Sequence, residues 1–170
     1  MTSLVSSIGT LLLRELVTLR KEIEAYPSDA DLWKVVRGIT NSGGTLALHL
    51  TGNLQHFIGA VLGRTGYVRN RDAEFAMRGL SRRELVGLVE QTTAALTRTF
   101  GSLTDAVLAG RYPEPVGKVR VSTGDFLVHL EGHLGYHLGQ IDYHRRIITG
   151  TGALPGSLSP GQLVSAEPEE

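Results

Sequence analysis

From Val128 to Ile148 the chain reads VHLEGHLGYHLGQIDYHRRII, and this segment carries four of the protein's six histidines: His129, His133, His137 and His144. On a helix, at about 100° per residue, His133, His137, Gln140 and His144 fall within roughly 60° of one another, with His129 to one side. Leu130, Leu134, Leu138 and Ile141 fill the neighbouring sector, so the segment predicts a core-facing helix whose buried edge is polar. Each imidazole has a donor and an acceptor to satisfy, and burying several without partners is costly. A metal ion shared among them removes that cost, because neutral imidazole is a good ligand for zinc, nickel and iron.

The remaining two histidines point the same way. His49, Asn53 and His56 are spaced four and three apart on a second amphipathic segment, expected to begin between Asn41 and Thr45 and to run to about Leu62. Leu46, Leu50, Leu54, Phe57, Ile58 and Val61 form its apolar face. Histidines at i and i+4 lie one turn apart and can hold one ion. Both His129/His133 and His133/His137 have that spacing, and either His49 or His56 could supply a third ligand, leaving coordination open to water or substrate. The string H-L-E-G-H is not the metalloprotease H-E-x-x-H, since Glu131 follows His129 by two residues and projects elsewhere. In the competing reading, Asn53 and Gln140 hydrogen-bond the imidazoles of a polar core that holds no metal.

Two more helices complete the pattern. Residues 3 to 25 repeat Leu4, Ile8, Leu11, Leu12, Leu16, Leu19 and Ile23 at three and four, and Pro27 ends the run. A connection over 29 to 40 is expected to include a short turn with Trp33 as a core plug. Ser81 and Glu84 form a capping box for a third long helix, predicted to reach about Ala109 with a kink at Gly101-Ser102. Val116 to Val121 reads as a short extended segment, and Ser122 or Thr123 caps the histidine helix, which Gly150 and Gly152 end. Four long periodic segments define an all-α four-helix bundle over residues 1–150. The Gly/Pro/Ser-rich tail, 151–170, is expected to pack weakly. Three connections of more than ten residues make a simple up-down-up-down order less secure.

Between Gly63 and Gly79 the periodicity fails, and Arg64, Arg69, Arg71 and Arg78 gather around Asp72 and Glu74. The segment reads as a solvated loop tied by ion pairs, with the four arginines as candidates for anion binding at a pocket rim. Lysine plus arginine equals aspartate plus glutamate at 17 each, so no overall charge favours nucleic acid. With no cysteine, the chain can offer neither a disulfide nor a thiolate ligand or nucleophile. The N-terminus lacks the positive region of a signal peptide, and polar residues interrupt the longest uncharged run, so no membrane association is expected and the cytoplasm is the expected setting.

The late motif, His133-Leu134-Gly135-Tyr136-His137-Leu138-Gly139-Gln140-Ile141, and the early one, Leu46-Ala47-Leu48-His49-Leu50-Thr51-Gly52-Asn53-Leu54, resemble those of DinB-like, or YfiT-like, metal-binding four-helix bundles. In that family a helix-two histidine joins two from a late H-x-x-x-H-x-G-Q-I motif. The resemblance therefore implies His49, His133 and His137 as ligands of a divalent metal, zinc or nickel. It leaves Asn53, His56, His129, Gln140 and His144 as neighbours of the ligands, pocket residues or core. Tyr67 to Phe75 looks like the loop of an uncharacterised branch. The resemblance also implies a homodimer and a small-molecule substrate. Its implied chemistry is activation of a low-molecular-weight thiol, such as mycothiol or bacillithiol, for transfer. Alternatives are a hydrolase using metal-bound water, or a non-catalytic metal-binding or interaction protein.

Overall fold

A computed structural model describes residues 3–154 and 158–168. Among these described residues seven α-helices follow one another: α1 (Leu4–Glu24), α2 (Asp29–Leu32), α3 (Gly43–Leu54), α4 (Arg71–Ala76), α5 (Arg82–Phe100), α6 (Asp105–Ala109) and α7 (Thr123–Thr149). A π-helical turn, Gln55–Ala60, continues α3, and a 3-10 turn, Pro160–Gln162, lies in the tail. Four of the seven, α1, α3, α5 and α7, form the bundle. No helix among the described residues is long and apolar enough to cross a membrane.

Helix α1 starts where the Ser3 hydroxyl accepts from the Ser6 N–H, and it buries Ile8, Leu12, Leu16, Leu19 and Ile23 along one stripe. All twelve residues of α3 are buried. A helix with so little polar surface needs neighbours all round: α5 and α7 flank it within the bundle, and α4 packs across it from outside. Helix α1 likewise lies between α5 and α7, which puts α1 and α3 on one diagonal and α5 and α7 on the other.

Contacts at the two ends fix the directions. Tyr26, just past α1, hydrogen-bonds His144 near the end of α7, and Gly43 at the start of α3 packs against both. Arg82 at the start of α5 donates to the Tyr26 carbonyl and to Asp29. At the far end the Val5 N–H donates to Asp105, and Gly9 of α1 touches Phe100 of α5. Helices α1 and α7 therefore run one way, α3 and α5 the other, giving an up-down-down-up bundle. The parallel neighbours α3 and α5 cannot be joined by a tight hairpin. The chain must cross the length of the bundle between them, and α4 forms on that crossing.

Several boundaries differ from the sequence reading. The third long helix stops at Phe100: Gly101 caps it, and Thr104 starts the separate helix α6 with its own side-chain cap, so the expected kink is a break. Residues 63 to 79 contain α4, capped by the Asn70 side chain. The expected extended segment is a tight turn with isolated bridges between Val116 and Val119 and between Arg111 and Ser122, with no strand among the described residues. Trp33 plugs the core edge, its indole N–H donating to the Leu80 carbonyl at 2.9 Å and its ring lying on Gly44. In the tail, Glu169 and Glu170 lie outside the described residues.

Two polar clusters lie between α1 and α7. Arg145, fully buried, donates to Glu22, Asp142, Thr151 and the Gly152 carbonyl, clamping the chain just after α7. Glu15, also buried, has Arg14 on one side and Glu131 on the other, and its Oε2 has no hydrogen-bond partner. Burial and the Glu131 carboxylate push the Glu15 carboxyl up to about 7, against the pull of Arg14.

Candidate metal centre

Where antiparallel α3 and α7 meet, three histidines converge. His49 comes from the middle of α3, and His133 and His137 stand one turn apart on α7. One ring nitrogen from each lies within 4.8 Å of the others. His49 Nε2 and His133 Nε2 are 3.3 Å apart, the rings of His49 and His133 meet edge to face, and so do those of His133 and His137.

The hydrogen bonds assign the tautomers. His49 Nδ1–H donates to Glu74 Oε2 at 3.0 Å, which leaves its Nε2 lone pair facing the centre. His137 Nδ1–H donates to Gln140 Oε1 at 2.7 Å, with the same result. Burial, reinforced by the charges of His137, His49, His129 and Arg69, lowers His133 to about 4. Burial also lowers His137, outweighing the Gln140 hydrogen bond. Both are therefore neutral at physiological pH, the form that binds a metal.

Two nitrogens bonded to one tetrahedral zinc at about 2.0–2.1 Å stand about 3.3–3.4 Å apart. The separation of His49 Nε2 and His133 Nε2 matches that spacing. The donor set is neutral and all-imidazole, suited to zinc, nickel or copper rather than to hard cations. The residues present thus fit a divalent ion.

Behind His49 stands a carboxylate that the sequence reading did not single out. Glu74 on α4 is buried and accepts from His49 Nδ1, while Arg69 closes a two-pronged pair on it, Nε to Oε1 at 2.7 Å and an Nη to Oε2 at 2.8 Å. Burial raises the Glu74 pKa, but the hydrogen bonds from Arg69 and His49 outweigh it, and the carboxyl is held below its usual range. A carboxylate behind a ligating histidine fixes the ring and raises its basicity. Helix α4 reaches α3 closely enough because residue 52 is glycine, where a side chain would collide with Glu74. The segment did contain a usable signal: Asn70 ahead of Asp72 and Glu74 reads as a helix cap with an acidic first turn.

The other candidates scatter around this centre. Asn53 is buried one turn after His49, with its Oδ1 lacking a hydrogen-bond partner, as does His133 Nδ1. His129 is exposed, stacked between Phe126 and His133. His56 lies in the π-helical turn, pairs with Glu114 at 3.1 Å and packs on Phe57. His144 is not at the centre. It is a buried joint at the other end of the bundle, its Nε2–H donating to the Lys34 carbonyl at 2.9 Å and its Nδ1 accepting from the Tyr26 hydroxyl at 2.6 Å.

Of the four arginines, only Arg69 reaches the centre, and its donors are turned onto Glu74. Arg71 lies over Phe75, whose ring packs on His49, and Arg78 donates to the Phe75 and Met77 carbonyls. Arg64 is exposed in a left-handed turn, φ 51°.

Fold and site together define a four-helix bundle with a three-histidine candidate metal centre between its second and fourth long helices. A model of the DinB superfamily matches residues 12–141, and the chain belongs to that superfamily. No curated protein matches the chain at a significant level.

Proposed function

We propose that this protein is a divalent-metal-dependent transferase that activates a low-molecular-weight thiol. The observation that carries the reading is the neutrality of the ligand set: three imidazoles, two with lowered pKa, bring no negative charge to the ion. A divalent ion so held keeps its full charge for an incoming ligand and lowers the pKa of a thiol bound to it. With no cysteine in the chain, the thiol must come from the substrate.

The surrounding residues position rather than react. Glu74 and Arg69 hold the His49 ring from behind, and Gln140 holds that of His137. Phe75 and Phe57 give the region an apolar wall, Phe75 against His49 and Phe57 under the Arg69 guanidinium. Glu74 is bonded to both Arg69 and His49 and is not free to accept a proton from water, which favours transfer over hydrolysis.

The test is to load the protein with zinc or nickel and offer low-molecular-weight thiols with electrophilic acceptors, beside ester and amide substrates, comparing wild type with His137→Ala. Thiol-dependent turnover lost in the variant supports the reading. Thiol-independent hydrolysis selects a hydrolase, and full metal occupancy with no turnover or thiol binding selects a non-catalytic metal-binding protein.

A further inference from the structure

The crossover from α1 to α3 closes with a loop, residues 38–41, that lies against the later part of α7. Between them is a cavity of about 370 Å³ lined by Ile39, Thr40, Asn41, Leu46, Gln140 and Tyr143. Its position follows from the antiparallel pairing of α3 and α7. Leu46 is one turn before His49 and Gln140 one turn after His137, so both lie on the same side of the metal centre.

Gln140 belongs to both places. Its Oε1 accepts from His137 Nδ1–H, which leaves its amide N–H groups for the cavity. No residue lining the cavity is charged. Among the described residues, the side chains of Thr40, Asn41 and Tyr143 make no hydrogen bond within the protein, so several uncommitted polar groups surround one space. Arg146 lies over the Tyr143 ring, 5.0 Å from its centroid, and is paired with Asp142.

The loop backbone is held by its own contacts. Gly38 turns the loop with φ +86°, the Ile39 N–H donates to the Val36 carbonyl, and the Lys34 carbonyl accepts from buried His144. Ser42 caps α3 immediately afterwards. A carboxylate or ammonium held here gains no counter-charge from the lining residues. A neutral carbonyl or amide finds donors and acceptors, and a flat apolar body finds Ile39, Leu46 and the Tyr143 ring.

We infer that this cavity binds the uncharged body of the acceptor substrate, a small amide- or carbonyl-bearing molecule with a flat apolar portion. Naming the occupant the acceptor rests on the transferase reading; the site itself rests on the cavity and on Gln140. Gln140 then links cavity occupancy to the orientation of His137.

The test uses the full-length, zinc-loaded, nitrogen-15-labelled protein without any thiol, titrated with benzamide, benzoate and benzamidinium, which share a shape and differ in charge. Benzamide is expected to shift the side-chain amide resonances of Gln140 and Asn41, and the two ions to bind at least about tenfold more weakly. Tyr143→Ala, at an exposed position, should weaken benzamide binding at least about fivefold with zinc content and melting temperature unchanged. Equal binding of all three compounds, shifts that cluster elsewhere, or no shifts at tens of millimolar would overturn the inference. Benzamide bound in the cavity of a protein without thiol activity would keep the site and remove the transferase reading. Thiol turnover without benzamide binding would do the reverse.

Discussion

Glu74 occupies the space that a side chain at Gly52 would fill. Gly52 lies three residues after His49 on α3, so the glycine that admits the carboxylate and the histidine that receives it are on adjacent turns. Gly52→Ala is expected to push Glu74 off His49 Nδ1. Metal affinity should fall about 10- to 100-fold, as for loss of a partner behind a ligating histidine. Glu74→Gln should have a similar effect, and zinc competition titrations of both variants measure it. Unchanged affinity in both would show that the carboxylate does not act on His49.

His144 should separate from the other α7 histidines by experiment. Removing it leaves the Tyr26 hydroxyl with only the Ile141 carbonyl at 3.4 Å, takes away the imidazole N–H that reaches the Lys34 carbonyl, and opens a cavity at the end of the bundle. His144→Ala is expected to cost about 2–4 kcal/mol of stability in the metal-free protein. Metal stoichiometry at a temperature where the variant remains folded should be unchanged, and denaturant melts with elemental analysis check both halves.

Glu15 sets a pH dependence of stability. A carboxyl whose folded pKa, about 7, lies above the ordinary 4.5 holds its proton more tightly in the folded state. The stability it contributes is complete below pH 4.5 and is lost as pH rises through 7. Glu15→Gln, which keeps the neutral shape, should flatten that decline and gain ~1–3 kcal/mol at alkaline pH relative to wild type. Urea titrations of the metal-free protein across this range would show it, and parallel pH profiles for the two proteins would count against the assignment.

Arg145 is buried with Glu22 and Asp142. Arg145→Ala strands the buried Glu22 carboxylate and should cost about 3–5 kcal/mol. The same change frees the segment carrying Thr151 and Gly152, so proteolysis just beyond α7 should accelerate. An Arg145→Ala/Glu22→Gln double variant should recover part of the stability, because the unpaired charge is then gone.

The bundle was legible because its long helices carry unbroken apolar stripes with caps at their starts, such as Ser81 with Glu84 and Ser122 before α7. The pair His133 and His137 was legible from spacing alone. Angular position misled for His144, which shares their sector but stands seven residues beyond His137, about 10 Å along the axis, and so serves another junction. His56 looked equivalent to His49 on an ideal helix, but the π-helical turn over Gln55–Ala60 alters the register there, and His56 pairs with Glu114. Glu74 was legible as an ion-pair partner of the arginines but not as the carboxylate behind His49, because that contact depends on the crossing between the parallel helices α3 and α5, a property of topology that no local pattern carries.

That crossing also sets the order in which the site can assemble. Arg69, Glu74 and His49 lie within 25 residues of one another, whereas His133 is 84 residues from His49. A chain emerging from the ribosome completes the His49 half of the centre long before the other half is made. An ion joining His49 to His133 closes a long loop, and the entropy of that closure grows only slowly with length. The full three-histidine set therefore exists only once most of the bundle's chain has been made, and an ion held by it would fasten the second long helix to the fourth across that span.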